Sequence, residues 1–156
     1  MPALIPGPPY PFRLRNSRIH GRGAFATQLI PAGTRIIEYK GERITNEMAD
    51  LRYPDTDPEH PHHTFLFSID DEVVVDAAYR GNASRWINHS CNPNCDAVID
   101  DGRIFIEAVR DIQPGEELVY DYNFILEERH TPAMKRRYPC HCGAPNCRGT
   151  ILAKKR

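Results

Sequence analysis

The chain has 156 residues, 40% hydrophobic and 26% charged, with a formal net charge of −1. That is enough for one domain with a real core but too little for two independent ones. The composition is that of an ordinary soluble globular protein: no stretch is long and apolar enough for a membrane span, and the near-neutral charge gives no global signal for nucleic acid.

Residues 1–11 are proline-rich and read as an extended arm; the segment Met1-Pro2-Ala3-Leu4-Ile5 and beyond lacks the basic start and uninterrupted apolar core of a signal peptide, which leads us to expect an intracellular address. Phe12-Arg13-Leu14-Arg15 is strand-like and leads through the turn Gly21-Arg22-Gly23 into Ala24-Phe25-Ala26. A turn at Pro31-Ala32-Gly33 precedes a β-branched and aromatic strand, Thr34 to Tyr39. Thr45 is placed to cap a short helix over Glu47–Leu51. Arg52 to His63, with three prolines and three histidines, reads as an exposed loop. Phe65–Ile69 and Val73–Val75 are two strands across an Asp70-Asp71 turn. Asp96–Ile99 and Arg103–Ile106 form a hairpin about Asp101-Gly102, and Pro114-Gly115 turns the chain into a last strand, Leu118-Val119-Tyr120. Many short strands with few helices predict a mainly β fold. A basic, cysteine-rich tail follows from about Lys135.

Charge is unevenly placed: Glu38 to Asp76 holds eleven acidic residues against Lys40, Arg43 and Arg52, and Glu127 to Arg156 holds eight basic against two acidic. Two solvated faces would account for this. So would an acidic stretch that steers a basic substrate segment.

Three constellations carry chemistry. Five cysteines, an odd number, argue against a disulfide framework, and Cys140, Cys142 and Cys147 within eight residues argue for a tetrahedral metal site. Spacing leaves the fourth ligand open among Cys91, Cys95 and His141. The run Arg85 to Asn94 (Arg-Trp-Ile-Asn-His-Ser-Cys-Asn-Pro-Asn) is poor material for a strand or helix interior and reads as a buried, hydrogen-bonded turn. In Gly115 to Asn123, Tyr120 and Tyr122 lie two residues apart and share a strand face. Two phenols facing one cavity suit a site that guides an amine without a strong base.

In this order the motifs resemble the SET domain, from Arg18 to about Leu152. Ile19–Phe25 is similar to that family's first motif, Val75-Asp76-Ala77 with Gly81–Cys91 to its signature, Gly115–Leu118 with Asp121-Tyr122 to its last catalytic motif, and the tail to a post-SET zinc module. Within that family these motifs resemble the mixed-lineage-leukaemia type histone H3 methyltransferases. The resemblance implies a SET domain of small twisted sheets with a pseudoknot over residues 12–126, threading the Asn88 and Tyr122 segments together. It also implies a C-terminal zinc-binding post-SET loop over 135–156.

It implies further that S-adenosylmethionine is held by His20, Gly21, Arg22, Gly23, Asn88, His89, Tyr122 and Leu152, and one structural Zn2+ by Cys91, Cys140, Cys142 and Cys147. Tyr122 would align methyl group and amine. Tyr120 would stand at a Phe/Tyr switch that favours mono- or dimethylation. Phe65 takes the place of a substrate-binding tyrosine, with Tyr79 a candidate to supply the missing hydroxyl. The implied activity is transfer of methyl groups to protein lysines on a histone or other basic tail. The chain would act as a monomer, without membrane or direct nucleic-acid binding, in a nucleus if eukaryotic, or in a bacterial cytoplasm or an infected host. A non-catalytic SET-like module for basic peptides, a zinc hydrolase and a nucleic-acid module are the competing expectations.

Overall fold

The computed structural model describes residues 10–19, 21–52, 65–122 and 130–153. The arm up to residue 9, His20, most of the expected 52–63 loop and Lys154–Arg156 lie outside the described residues. The fold is predominantly β. One larger sheet runs in the order β1 (Phe12–Asn16), β2 (Arg22–Ala26), β10 (Glu117–Tyr120), β8 (Cys95–Asp100), β9 (Arg103–Ala108), β3 (Arg35–Tyr39), with β7 (Asn88–His89) also paired to β10. A second sheet of three strands orders β4 (Glu42–Ile44), β6 (Val74–Asp76) and β5 (Leu66–Ser68).

The core follows the apolar positions of these strands. Ile36, Ile37, Ile106, Ile112 and Leu118 are buried together with Ile30, Ile87, Ala24 and Tyr120. The β8–β9 hairpin turns at Asp101 and Gly102, both with positive φ (51° and 73°), the left-handed pair that a two-residue hairpin turn requires. Thr45 caps α1 (Asn46–Arg52) by accepting the Met48 N–H at 3.1 Å, so the expected helix is present, one residue longer at each end. At the β5–β6 connection the Asp70 carboxylate accepts the N–H groups of Glu72 and Val73, each at 2.8 Å, which shapes the turn expected there.

Strand β10 organises the site. It pairs antiparallel with β2, and parallel with β7 and β8, setting Val119 opposite Asn88 and Tyr120 opposite both His89 and Cys95. The two segments expected to be threaded together are therefore neighbours. Asn94 completes this junction. Its side chain donates to the Glu117 carbonyl at 2.8 Å and accepts the Val119 N–H at 2.9 Å, so a buried carboxamide stands in for a strand's peptide group. This explains the irregular polar run in mid-chain: its side chains satisfy backbone groups that no strand reaches.

Two short helical elements were not expected from the sequence. Ala83–Trp86 is a 3-10 turn capped by Asn82, which accepts the Ser84 N–H, and α2 (Pro132–Arg137) is capped by Thr131 with Pro132 in its first turn. Beyond α2, Tyr138, Ile151 and Leu152 form a small cluster against Tyr122, Met134 and Cys140. The tail thus docks on the end of β10.

Candidate active site and metal centre

A cavity of about 270 Å³ lies where the β1–β2 turn, the segment leading into β7, the end of β10 and the tail meet. This is close to the lower end of the roughly 300–1,000 Å³ typical of small-molecule sites. Ile19, Gly21 and Arg22 form one side, Arg85, Trp86, Asn88 and His89 another, and Pro139, Cys140, His141 and Ile151 a third. Phe65 and Tyr122 complete the lining.

Asn88 is buried and its side-chain nitrogen donates to the Arg22 carbonyl and to Glu117, both at 2.9 Å. His89 Nδ1 accepts the Tyr122 N–H at 3.0 Å, so the ring proton sits on Nε2, which faces Cys91 Sγ at 3.5 Å. Burial pushes the imidazole down to about 4, against the nearby Asp121, so the ring is neutral. With its Nδ1 lone pair already engaged, the 3.6 Å approach to Asp121 is not an ion pair. Arg148 is the residue that pairs with Asp121, through two bonds of 2.8 and 3.2 Å, and so ties the tail to the residue between the two tyrosines.

The Tyr122 hydroxyl donates to the Ile87 carbonyl at 2.7 Å. Burial raises its phenol well above the ordinary value, so the group stays protonated. Because its proton is spent on Ile87, the oxygen is an acceptor towards anything else. Tyr120 lies 4.9 Å away, centroid to centroid, but is buried behind the lining. Phe65 meets Trp86 edge to face at 5.5 Å, and the Arg85 guanidinium lies 4.9 Å from the Trp86 ring. No carboxylate among the described residues pairs with Arg85, which leaves a cation in the cavity wall fit for an anionic ligand group. Tyr79 does not reach the cavity: it is half exposed, with Arg52 stacked on its ring at 4.7 Å. It therefore cannot supply the hydroxyl that Phe65 lacks.

The sulfurs of Cys91, Cys140, Cys142 and Cys147 all lie within 4.8 Å of one another, with Cys91 and Cys140 at 3.8 Å. A tetrahedral ion with metal–sulfur bonds of about 2.3 Å needs sulfurs about 3.8 Å apart, so the four thiols fit such an ion. The Arg148 N–H points at Cys91 Sγ (3.3 Å) and the Gly149 N–H at Cys147 Sγ (3.4 Å), contacts that orient and stabilise thiolates. Of the three candidates that spacing left open, Cys91 joins the cluster. His141 turns to the cavity, and Cys95, the first residue of β8 and the partner of Tyr120, is buried, its thiol pushed up to about 12 by burial.

Among the residues expected to hold a ligand, Gly21, Arg22, Asn88, His89, Tyr122 and Phe65 line one cavity. Leu152 does not; it packs with Tyr138, and Ile151 takes the cavity face instead. Gly23 backs onto Glu117. Arg85 and Trp86 were not singled out for ligand contact by the sequence; a signal lay in their place two and three residues before Asn88.

The SET domain family model matches residues 21–123. The chain is 46% identical over 139 residues to a histone-lysine N-methyltransferase, H3 lysine-4 specific, of Schizosaccharomyces pombe, covering 86% of this chain and 14% of that protein. It is 41% identical over 140 residues to a protein of the same description from Mycosarcoma maydis (87% and 9%), and 45% identical over 138 residues to the histone-lysine N-methyltransferase trithorax of Drosophila virilis (85% and 3%). The chain thus spans a small fraction of the length of these relatives.

Proposed function

The chain belongs to the SET-domain family, and on that premise we propose that it transfers methyl groups from S-adenosylmethionine to the side-chain amine of lysines in a histone or similar basic tail. The observation that carries this is the convergence on one cavity of Gly21, Arg22 at the start of β2, Asn88, His89 and Tyr122, closed on one side by the cysteine-rich tail. Because relatives are described as H3 lysine-4 specific, lysine 4 of histone H3 is the first target to test, and a nuclear address goes with it.

S-adenosylmethionine, when bound, supplies an electrophilic methyl group on a sulfonium. In this proposal Asn88, His89, Gly21 and Arg22 would hold it, Arg85 would take its carboxylate, and His141 and Ile151 would cover it. The target lysine has an ordinary pKa of about 10.4 and attacks only as the neutral amine. The apolar walls of Phe65 and Trp86 favour that neutral form by desolvation. Tyr122, its hydroxyl donating a hydrogen bond to the Ile87 carbonyl, would accept an N–H of the amine and so orient the amine's lone pair for attack. Tyr120, buried behind Tyr122, stands at the family's Phe/Tyr switch position, and on that likeness the products are mainly mono- and dimethyl-lysine. One Zn2+ on the four cysteines is structural, since four thiolates leave no open position.

The test is incubation of the purified chain with radiolabelled S-adenosylmethionine and recombinant histones, with mass spectrometry of the labelled peptide. Label on an H3 lysine, at one or two methyl groups, is expected. Cofactor binding without transfer to any lysine substrate would leave a non-catalytic module for basic peptides as the better description.

Phe65→Tyr gives a second test. Restoring a hydroxyl beside Tyr122 adds a hydrogen bond to the amine, typically about 0.5–1.5 kcal/mol. A rise in kcat/KM of roughly two- to tenfold is therefore expected, read from initial rates on an H3 peptide. An unchanged or lower rate would show that the amine does not approach position 65.

A further inference from the structure

The carboxylate of Glu117 lies just behind the cavity and is not explained by the roles given above. Both of its oxygens accept from the Ser17 hydroxyl at 2.9 Å, and one also accepts from the Asn88 side-chain nitrogen at 2.9 Å. Ser17 in turn accepts the Ile19 N–H at 3.0 Å, and the Ser17 N–H donates to the Gly21 carbonyl at 2.8 Å. Glu117 therefore fastens together three pieces that line or support the cavity: the turn that carries Ile19 and Gly21, Asn88, and the first residue of β10.

The chemistry of the group matters. A carboxylate only accepts, so the end of the Asn88 carboxamide that faces Glu117 must be its nitrogen. That nitrogen's two hydrogens then go to Glu117 and to the Arg22 carbonyl, and the carboxamide is locked in one orientation. A glutamine at 117 would offer both a donor and an acceptor and would lose that discrimination. Gly23 belongs to the same arrangement. A Cβ there would fall on the Glu117 carboxylate and within 3.0 Å of the Ser17 Cβ, while Gly23 itself does not line the cavity. An alanine at 23 would have to push the carboxylate aside, and the carboxylate could yield only by releasing Ser17 or Asn88.

Resting on the function proposed above, we propose that Glu117 is the positioning residue of the cofactor side of the site, acting through Asn88 and the 17–21 turn. Gly23 is a glycine in order to admit that carboxylate, not to admit the cofactor. Glu117→Gln is nearly isosteric and folds. Its Kd for S-adenosylmethionine, measured by calorimetry, rises about tenfold, the scale of one hydrogen bond to a charged group. KM for the cofactor rises with it, while KM for the H3 peptide stays unchanged, a split that a general loss of structure would not produce. Gly23→Ala gives a similar rise. The double variant Gly23→Ala/Glu117→Gln is also about tenfold weaker than the unaltered chain rather than about a hundredfold, because both changes break one contact.

A Glu117→Gln variant that binds like the unaltered protein would overturn the inference, as would additive losses in the double variant. Should Gly23→Ala fail to fold, restored thermal unfolding in Gly23→Ala/Glu117→Ala supports the same steric origin, and no restoration overturns it. Failure of the unaltered protein to bind S-adenosylmethionine would instead overturn the function itself, and this inference with it.

Discussion

Tyr122→Phe is expected to lower kcat for methyl transfer by roughly a hundred- to thousandfold, the scale of removing a positioned polar group from a reacting centre. The phenol is the one hydroxyl among the described residues of the cavity wall that is aligned by a backbone partner, at 2.7 Å from the Ile87 carbonyl. With the proton committed there, the oxygen accepts, and loss of the oxygen leaves the amine free to rotate out of line. The structural cost is smaller by comparison. Removing one partner of a buried hydrogen bond costs about 1–3 kcal/mol, or a few degrees of melting temperature in a chain of this size. Binding of S-adenosylmethionine should change little. Single-turnover rates beside a melting curve and a binding isotherm separate these effects. A Phe variant that retains more than about a tenth of the rate would remove Tyr122 from the chemistry.

Zinc removal is expected to have an equally large effect by a different route. Residues 138–153 carry little apolar surface of their own: Tyr138, Ile151 and Leu152 are the cluster they contribute. Metal binding supplies about 10–16 kcal/mol of folding free energy in small zinc modules, far more than that cluster can. Cys142→Ser, or a strong chelator, should therefore release the tail and with it Pro139, Cys140, His141 and Ile151 from the cavity wall. S-adenosylmethionine binding should weaken more than about a hundredfold. The β core, built from Ile36, Ile106, Leu118 and their neighbours, lies elsewhere and should persist. Metal content, far-UV circular dichroism and a binding isotherm measured on one sample test all three statements. A metal-free protein that binds the cofactor normally would show that the tail closes without the ion.

Much of the sheet was legible because its signals are local. Asp101-Gly102 dictates a hairpin turn, and Thr45 a helix start, from a few adjacent residues. What could not be read is what depends on distant partners. The sequence separation of 49 between Cys91 and Cys140 hides their meeting, so spacing alone could not choose among Cys91, Cys95 and His141. Nor does a sequence say which of two adjacent apolar residues turns towards a cavity, and Ile151 rather than Leu152 lines this one. Arg85 carries no local mark of a ligand role; its place in the cavity wall follows from the 3-10 turn that precedes β7. Helix α2 is a different case. Thr131-Pro132 is an ordinary helix start, a local signal that the sequence does carry.

The placement of β10 has a consequence for how the protein is made. Strand β2 emerges from the ribosome well before β10, yet one of its two partners is residues 117–118, and Asn88 and His89 also wait for β10. Synthesis runs at roughly 5–20 residues per second, so the β1–β2 hairpin has several seconds, and the β8–β9 hairpin about one, in which to form before the strand between them exists. Pairings so far apart in sequence close slowly because loop entropy must be overcome first. A chain interrupted before residue 117 therefore carries hairpins with open edges and no cofactor site, and has to be guarded against edge-to-edge association until the last strand is inserted.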